Sequence, residues 1–509
     1  MFNLKSILLS RDSVACIFIV AAAAILDALD ITSGSTLVAC VVVSYLLIDD
    51  VKTKFLTDRF STSNLKDEKK NFETTTTTYV FATIALGVAS AIIDPSDTPD
   101  PFETSYFIGI PILIALVLSP LLSLLIGSIR FSKDKNARVL RASKKIEKKS
   151  KPKFAFYFSG GDLETPMHYL VWKKYLDGLD TPYVIVLRER KHLAFFQTKE
   201  YEDIPVLLVT SGKGIGDIIP ASVSTIFYAN NGFKNLELIN ARPELRHVQL
   251  LHGDSDKPSS YSPVVRCYTD LFVSGQMAID RYAANGVSLN HVLTTVVGRP
   301  QTEDIKVVED RGQKDEITIA YMPTWLGYHE EARFSSLEQS PQIIRDVLNH
   351  DFGAKVHILF KAHPMSYKDP NAAVYFDQIK EAIAASPKNT AEIVDINVDA
   401  ITLFNRSDVL IADISSVVID FLYSKKPYLI TNPNNFDLND LSRYPCTQGG
   451  YLLTPAADNV IASLEEAFGS DRLKDLRTTR LRNYAFGDSH MKPGQLFKQE
   501  ALAIINREQ

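Results

Sequence analysis

The sequence predicts an α-helical membrane domain of four transmembrane helices followed by an α/β region of two doubly wound lobes. Three observations lead there. Apolar segments crowd residues 13–129, basic residues gather on one side of them, and beyond Lys153 short β-branched runs alternate with longer amphipathic ones.

The apolar segments are 13–29, 31–48, 79–93 and 106–129, each close to the ~20 residues that span a hydrocarbon core. A cleavable signal peptide would account for the first alone, and no small-residue cleavage site precedes the second. Buried core helices are the plainer alternative for the set. Orientation follows from the cations, because basic loops are translocated reluctantly. Lys52, Lys54, Arg59, Lys66, Lys69 and Lys70 follow the second segment, the chain from Arg130 to Lys153 is dense in Lys and Arg, and the loop 94–105 carries only acids. Both basic stretches are therefore expected inside. This gives a multi-pass protein of the cell membrane with a cytoplasmic N-terminus and a cytoplasmic catalytic region. The stretch 130–153 serves either as a topology signal or as a contact for anionic headgroups.

With 509 residues the chain exceeds a single domain. The expected division is a transmembrane anchor at 1–130, a basic juxtamembrane linker at 131–153, and lobes at 154–300 and 301–509, the second closing with terminal helices. Charged residues are 23% of the chain and the net charge is −5, so no global field argues for nucleic acid. Cys16, Cys40, Cys267 and Cys446 are too scattered for a disulfide framework or a metal cluster, and no metal site is expected.

In the first lobe the expected strands are 154–158, 183–187, 205–209, 247–251, 271–274 and 292–297. In the second they are 317–321, 356–360, 392–396, 408–412 and 427–431, with helix over about 458–507. Ligands of doubly wound sheets sit beyond the C-terminal strand ends. His252-Gly253-Asp254-Ser255-Asp256-Lys257 follows one such end, and Lys361-Ala362-His363-Pro364 follows another in the second lobe. Each places an imidazole and a cation at a strand end, although a loop histidine satisfying nearby carbonyls is the bland reading. After 408–412 stands Asp413-Ile414-Ser415-Ser416, with Asp420 further on, where polar side chains and unpaired backbone N–H groups at a helix start suit a phosphate or pyrophosphate. A plain N-cap would require one such residue. Ser159-Gly160-Gly161-Asp162 and Ser211-Gly212-Lys213-Gly214-Ile215-Gly216 fit neither G-x-G-x-x-G nor the P-loop. In Pro323-Thr324-Trp325, Trp325 either stacks on a ligand or packs in a core.

His252-Gly253 with Lys257, Pro323-Thr324-Trp325, Lys361-Ala362-His363-Pro364, and Asp413-Ile414-Ser415-Ser416 with Asp420 stand in an order that resembles the CDP-glycerol glycerophosphotransferases, the teichoic-acid primases and polymerases. The resemblance covers about 245–435 and lies in the combination of motifs. It implies two Rossmann-like lobes of glycosyltransferase-B (GT-B) type, a CDP-glycerol donor, a hydroxyl acceptor on a lipid-linked polyol-phosphate chain, and release of CMP. It also implies His252 as general base and His363 as partner of the phosphate or leaving group. Ser415 and Ser416 would hold the donor pyrophosphate, with Lys257, Arg299, Thr324, Lys361, Asp413 and Asp420 as the remaining donor-binding residues. Two departures stand out: Leu326-Gly327 where the family has an arginine, and Gly298-Arg299-Pro300 in place of Gly-x-Pro-Arg. A primase and a polymerase are both open on these residues. Two further readings remain, a transferase or epimerase of the same fold acting on a UDP-sugar, and a non-catalytic membrane scaffold with a transferase-like domain.

Overall fold

The computed structural model describes residues 135–160, 165–309, 312, 314–326, 334–386, 388–438 and 440–507. It divides into a unit formed by Met1–Ile146 with Leu193–Leu208 and a larger unit formed by Glu147–His192 with Val209–Gln509.

The membrane half of the expected fold class is corrected. The four apolar segments lie outside the described residues, and among the described residues no helix is long and apolar enough to cross a membrane. Where the basic linker 131–153 was expected stands helix α1 (Lys135–Ser150), of 16 residues. It is too short for a hydrocarbon core, and its sequence, KNARVLRASKKIEKKS, is charged along its whole length. The integral membrane partnership expected from the sequence rests on those segments, and nothing among the described residues supports it. What the structure supports is an α/β fold on two parallel sheets.

Besides the start of α1, the described part of the smaller unit contains two short 3-10 turns and strand β3 (Val206–Leu208). The rings of Phe195, Phe196 and Tyr201 pack together there.

The larger unit carries both lobes. In the first, strands β1 (Phe154–Phe158), β2 (Tyr183–Leu187), β4 (Thr225–Tyr228), β5 (Arg246–Gln249), β6 (Asp270–Val273) and β7 (Leu293–Val296) run parallel in the order β2-β1-β4-β5-β6-β7. Helices α2 (Met167–Asp177), α3 (Ile215–Ile218), α4 (Phe233–Ala241) and α5 (Gln276–Ala284) lie between them. Every residue of β1, β2 and β4 is buried, which is why their sequences are continuous apolar runs without alternation. β4 was missed from the sequence, since TIFY is only four residues long.

The second sheet holds β8 (Glu316–Met322), β9 (Lys355–Phe360), β10 (Thr390–Ile393), β11 (Val409–Asp413), β12 (Tyr428–Thr431) and the two-residue β13 (Tyr451–Leu452). All are parallel, in the order β10-β9-β8-β11-β12-β13. α6 (Ser340–Asn349), α7 (Ala373–Ala384), α8 (Ala400–Arg406), α9 (Ser416–Leu422) and α10 (Val460–Phe468) cover it. α6 shows the local logic: Pro341 sits in its first turn, and Ile343, Ile344, Val347 and Leu348 recur at helical spacing and are buried.

In each sheet the order reverses at one place, between β1 and β4 and between β8 and β11. Crevices open at such switch points, beyond the C-terminal strand ends.

The C-terminal helices divide between the lobes. α11 (Arg482–Phe486) crosses the start of α5, where a Cβ on Gly275 would lie 2.6 Å from the carbonyl carbon of Ala485, so only glycine allows the crossing. α12 (Pro493–Ile505), expected with the second lobe, lies on the first. Its buried Phe497 packs at 5.1 Å from the Trp172 ring and 6.1 Å from the Phe272 ring. The Ser224 hydroxyl donates to the Ile505 carbonyl at 3.1 Å.

Candidate active site

The chain turns sharply after β5. Leu251 takes φ 55°, a left-handed conformation that a branched residue adopts only when its surroundings hold it there. Both its backbone groups are clamped: its N–H donates to Gln249 Oε1 at 2.9 Å, and its carbonyl accepts from Trp172 Nε1 at 2.6 Å. The turn delivers His252 beyond the strand end, open to solvent, with Nδ1 2.8 Å from the Ala229 carbonyl just after β4. A carbonyl only accepts, so Nδ1 carries the proton and Nε2 keeps its lone pair. Although the residue as a whole is exposed, the surrounding protein crowds its ring, and that desolvation lowers the His252 pKa; the Ala229 carbonyl opposes the shift and Arg299 adds to it.

His168, on the first turn of α2, lies face to face with His252, ring centroids 3.9 Å apart and planes 14° from parallel. Sequence reading missed it. The signal was present, since a histidine opening the helix after β1 obeys the same strand-end rule that found His252 and His363.

His363 follows β9. Its Nδ1 accepts from the Met365 N–H at 3.2 Å, so its proton resides on Nε2, the reverse of His252. Trp325 lies at 6.4 Å between ring centroids, tilted 32°. His363 is exposed as a residue, but desolvation of its ring by the surrounding protein first, then Lys257, Lys361 and His252, bring its pKa down to about 4, in keeping with the neutral tautomer that the Met365 N–H selects.

Lys257 reaches from the first lobe to the second, its Nζ donating to Thr324 Oγ1 at 2.9 Å and lying 5.7 Å from the centre of the Phe334 ring. Burial lowers its pKa to about 8, against the pull of Asp413. Asp413 is wholly buried at the end of β11. Its Oδ2 accepts from the Thr324 N–H at 2.6 Å, and its Oδ1 accepts from the Ser336 N–H at 3.1 Å and from the Thr431 hydroxyl. It therefore organises the loop after β8 from beneath. Burial raises its pKa to about 6, and these hydrogen bonds and Lys257 resist the rise.

The loop that carries His252 and Lys257 is fixed from its other side. Arg281 of α5, nearly wholly buried, bonds Asp254 at 2.5 Å and Asp256 at 2.9 Å. Asp256 also accepts from the Cys446 N–H of the second lobe at 3.0 Å, and Asp254 from the Ser274 hydroxyl at 2.5 Å.

Ser415 occupies the cap position of α9 with φ −164° and ψ 170°, and its side chain caps nothing. Its hydroxyl donates back to the Asp413 carbonyl at 3.1 Å. Gly253 approaches Ser416 so closely that a Cβ there would stand 3.2 Å from Ser416 Cβ and 3.3 Å from Oγ. The His252 loop and the start of α9 are thus neighbours.

The expected site residues fall into two sets. His252, His363, Lys257, Thr324, Ser415 and Ser416 come together where the lobes meet. Arg299, Asp420, Lys361 and Asp413 are engaged by the protein itself. Arg299 makes a two-pronged ion pair with Asp420, Nη2 to Oδ2 at 3.0 Å and Nε to Oδ1. Lys361 donates to the Asp395 and Ile396 carbonyls at 3.1 and 2.8 Å, covering the end of β10. Among the described residues no group of three His, Cys, Asp or Glu side chains could hold a metal ion.

Two doubly wound lobes with paired histidines, a lysine and serine hydroxyls at their facing strand ends define a two-lobed transferase. Residues 296–452 match the family described as CDP-Glycerol:Poly(glycerophosphate) glycerophosphotransferase, which supports a glycerophosphotransferase-like transferase, as the motifs implied. No curated protein matches the chain. Among solved structures it is similar to the wall teichoic acid polymerase TagF, at 16% identity and TM-score 0.44 over 75% of this chain and 98% of that one. It is also similar to a glycosyltransferase from Rickettsia africae, at 13% identity and TM-score 0.43, covering 69% and 97%. MurG from Acinetobacter baumannii compares at 9% identity and TM-score 0.44, covering 70% and 99%.

Proposed function

We propose that the enzyme moves glycerol phosphate, or a related polyol phosphate, from a CDP-linked donor to a hydroxyl of a lipid-linked cell-wall polymer and releases CMP. The observation that carries the reading is the opposite protonation of two histidines at facing strand ends: a lone pair on Nε2 of His252 and an N–H on Nε2 of His363. The first suits a base that accepts a proton from an alcohol, and the second suits a donor to phosphate oxygen.

In the proposed step the acceptor oxygen adds to the phosphorus that bears the polyol, and the anhydride bond to CMP breaks. The hydroxyl proton passes to His252. Lys257, the His363 N–H and the Ser415 and Ser416 hydroxyls balance the charge on the bridging phosphates. Asp413 holds Thr324 in place, and Arg299 with Asp420 ties the lobes, so these two roles replace direct donor contact. On this reading the lobes work on the cytoplasmic side of a membrane, where nucleotide-linked donors are made.

The test is CMP release by the purified protein with CDP-glycerol and membranes that carry a polyol-phosphate acceptor. Turnover of a UDP-sugar, with no CMP from any polyprenyl-linked acceptor, would overturn the proposal.

A further inference from the structure

We propose that His168 is a positioning residue: its imidazole is the platform that fixes the plane of His252 and keeps that ring the sole proton acceptor of the pair. The inference rests on the base role given to His252 above and adds a residue to it.

The geometry is a three-ring stack. His252 lies on the face of His168 at 3.9 Å and 14°, and Phe158, the last residue of β1, meets His168 edge to face at 5.8 Å and 86°. Phe158 is itself backed by His192 at 4.7 Å. His252 is thus held in its plane by the hydrogen bond to Ala229 and from its face by a ring that the sheet supports. Nδ1 of His168 is buried with no hydrogen-bond partner, so the side chain acts through its face.

Two parallel imidazolium rings at this spacing would repel strongly, so the stack takes up one proton at most. Burial and the neighbouring His252 and His192 bring the His168 pKa down to about 3, which leaves the proton to His252. The charged or titratable groups facing His252 are His168 from α2, Arg299 from the segment after β7, and His363 from the second lobe. Of these, His168 touches its ring face.

The experiment is histidine side-chain NMR of the full chain, alongside kcat and KM for CDP-glycerol, in wild type, His168→Ala, His168→Phe and His168→Leu. The expected result is that His168→Ala raises the His252 pKa toward the ordinary histidine range. Its kcat falls about tenfold with KM for the donor nearly unchanged, and the acid limb of the pH profile moves up with the NMR titration. His168→Phe, which keeps the face, should hold both near wild type. His168→Leu fills the space without a ring and serves where the alanine variant fails to fold. It should keep the low pKa but lose kcat. An unchanged His252 titration in His168→Ala, or a phenylalanine variant no better than the leucine one, overturns the proposal. The titration needs no turnover, so a protein inert to CDP-glycerol that still shows these shifts refutes the donor and leaves the stack standing.

Discussion

Replacing Asp413 with asparagine keeps its shape but turns one of two acceptor oxygens into a donor, and the two sides of the resulting balance can be weighed. The wild-type carboxylate accepts from the Thr324 and Ser336 N–H groups and from the Thr431 hydroxyl, all donors in this arrangement. Whichever way the amide turns, one buried N–H faces an NH2 group, and the remaining bonds lose their charge assistance. Together these cost about 2–5 kcal/mol. Against that, burial raises the carboxyl pKa from 3.8 to about 6, so keeping it ionised at pH 7 costs the folded state about 3 kcal/mol, which the asparagine recovers. The net loss of stability at pH 7 should be within about 2 kcal/mol. Activity should fall much further, because the misplaced Thr324 is the partner of Lys257.

The pH dependence separates the terms. A carboxyl whose folded pKa lies above its unfolded one binds protons more tightly in the folded state. It therefore contributes stability that grows as pH falls from about 6 to about 4. Urea unfolding followed by tryptophan fluorescence at pH 7 and pH 5 should show wild type gaining on Asp413→Asn at the lower pH. A margin that narrows on acidification would mean the carboxyl is depressed rather than raised, and the account of Asp413 would be wrong.

His252→Ala should lower turnover by about two orders of magnitude or more while calorimetric binding of CDP-glycerol survives; near-wild-type rates would remove it from the chemistry. The kcat/KM profile should be a bell. Its acid limb lies below the ordinary histidine pKa, because desolvation lowers that of His252, and it declines above about 8 as Lys257 loses its proton. A Lys257→Arg variant, which cannot lose its charge there, should flatten the upper limb. Arg299→Ala leaves the Asp420 carboxylate largely buried without its partner, and denaturation should register about 2–4 kcal/mol; the double variant with Asp420→Ala should recover part of it. Gly253→Ala pushes a methyl group within 3.2 Å of Ser416, so kcat should fall several-fold with the melting temperature hardly moved.

Much of the α/β region was legible because buried parallel strands advertise themselves as short unbroken apolar runs. β1 and β2 fell on the residues expected. β4 was too brief to stand out, yet it carries at its end the Ala229 carbonyl, one residue beyond the strand, that sets the His252 tautomer. The histidines and serines were legible by position alone, since anything just beyond a strand end of such a sheet is close to the ligand crevice. The membrane reading rested on apolar length in segments outside the described residues, and the helix found where the linker was expected is charged and short.

By itself the sequence determined which residues stand at strand ends and which motif order they form, because those follow from local periodicity and spacing. Only the tertiary structure decided what each side chain meets. Arg299 and Asp420, 121 residues apart, meet as an ion pair, Lys361 turns to the carbonyls just beyond β10, and Asp413 sinks beneath the loop it organises. His168 comes to lie on His252, 84 positions away, because α2 and β5 are brought together by a sheet whose order differs from the chain's. Side-chain direction and long-range pairing are properties of the packed sheets, and no local pattern encodes them.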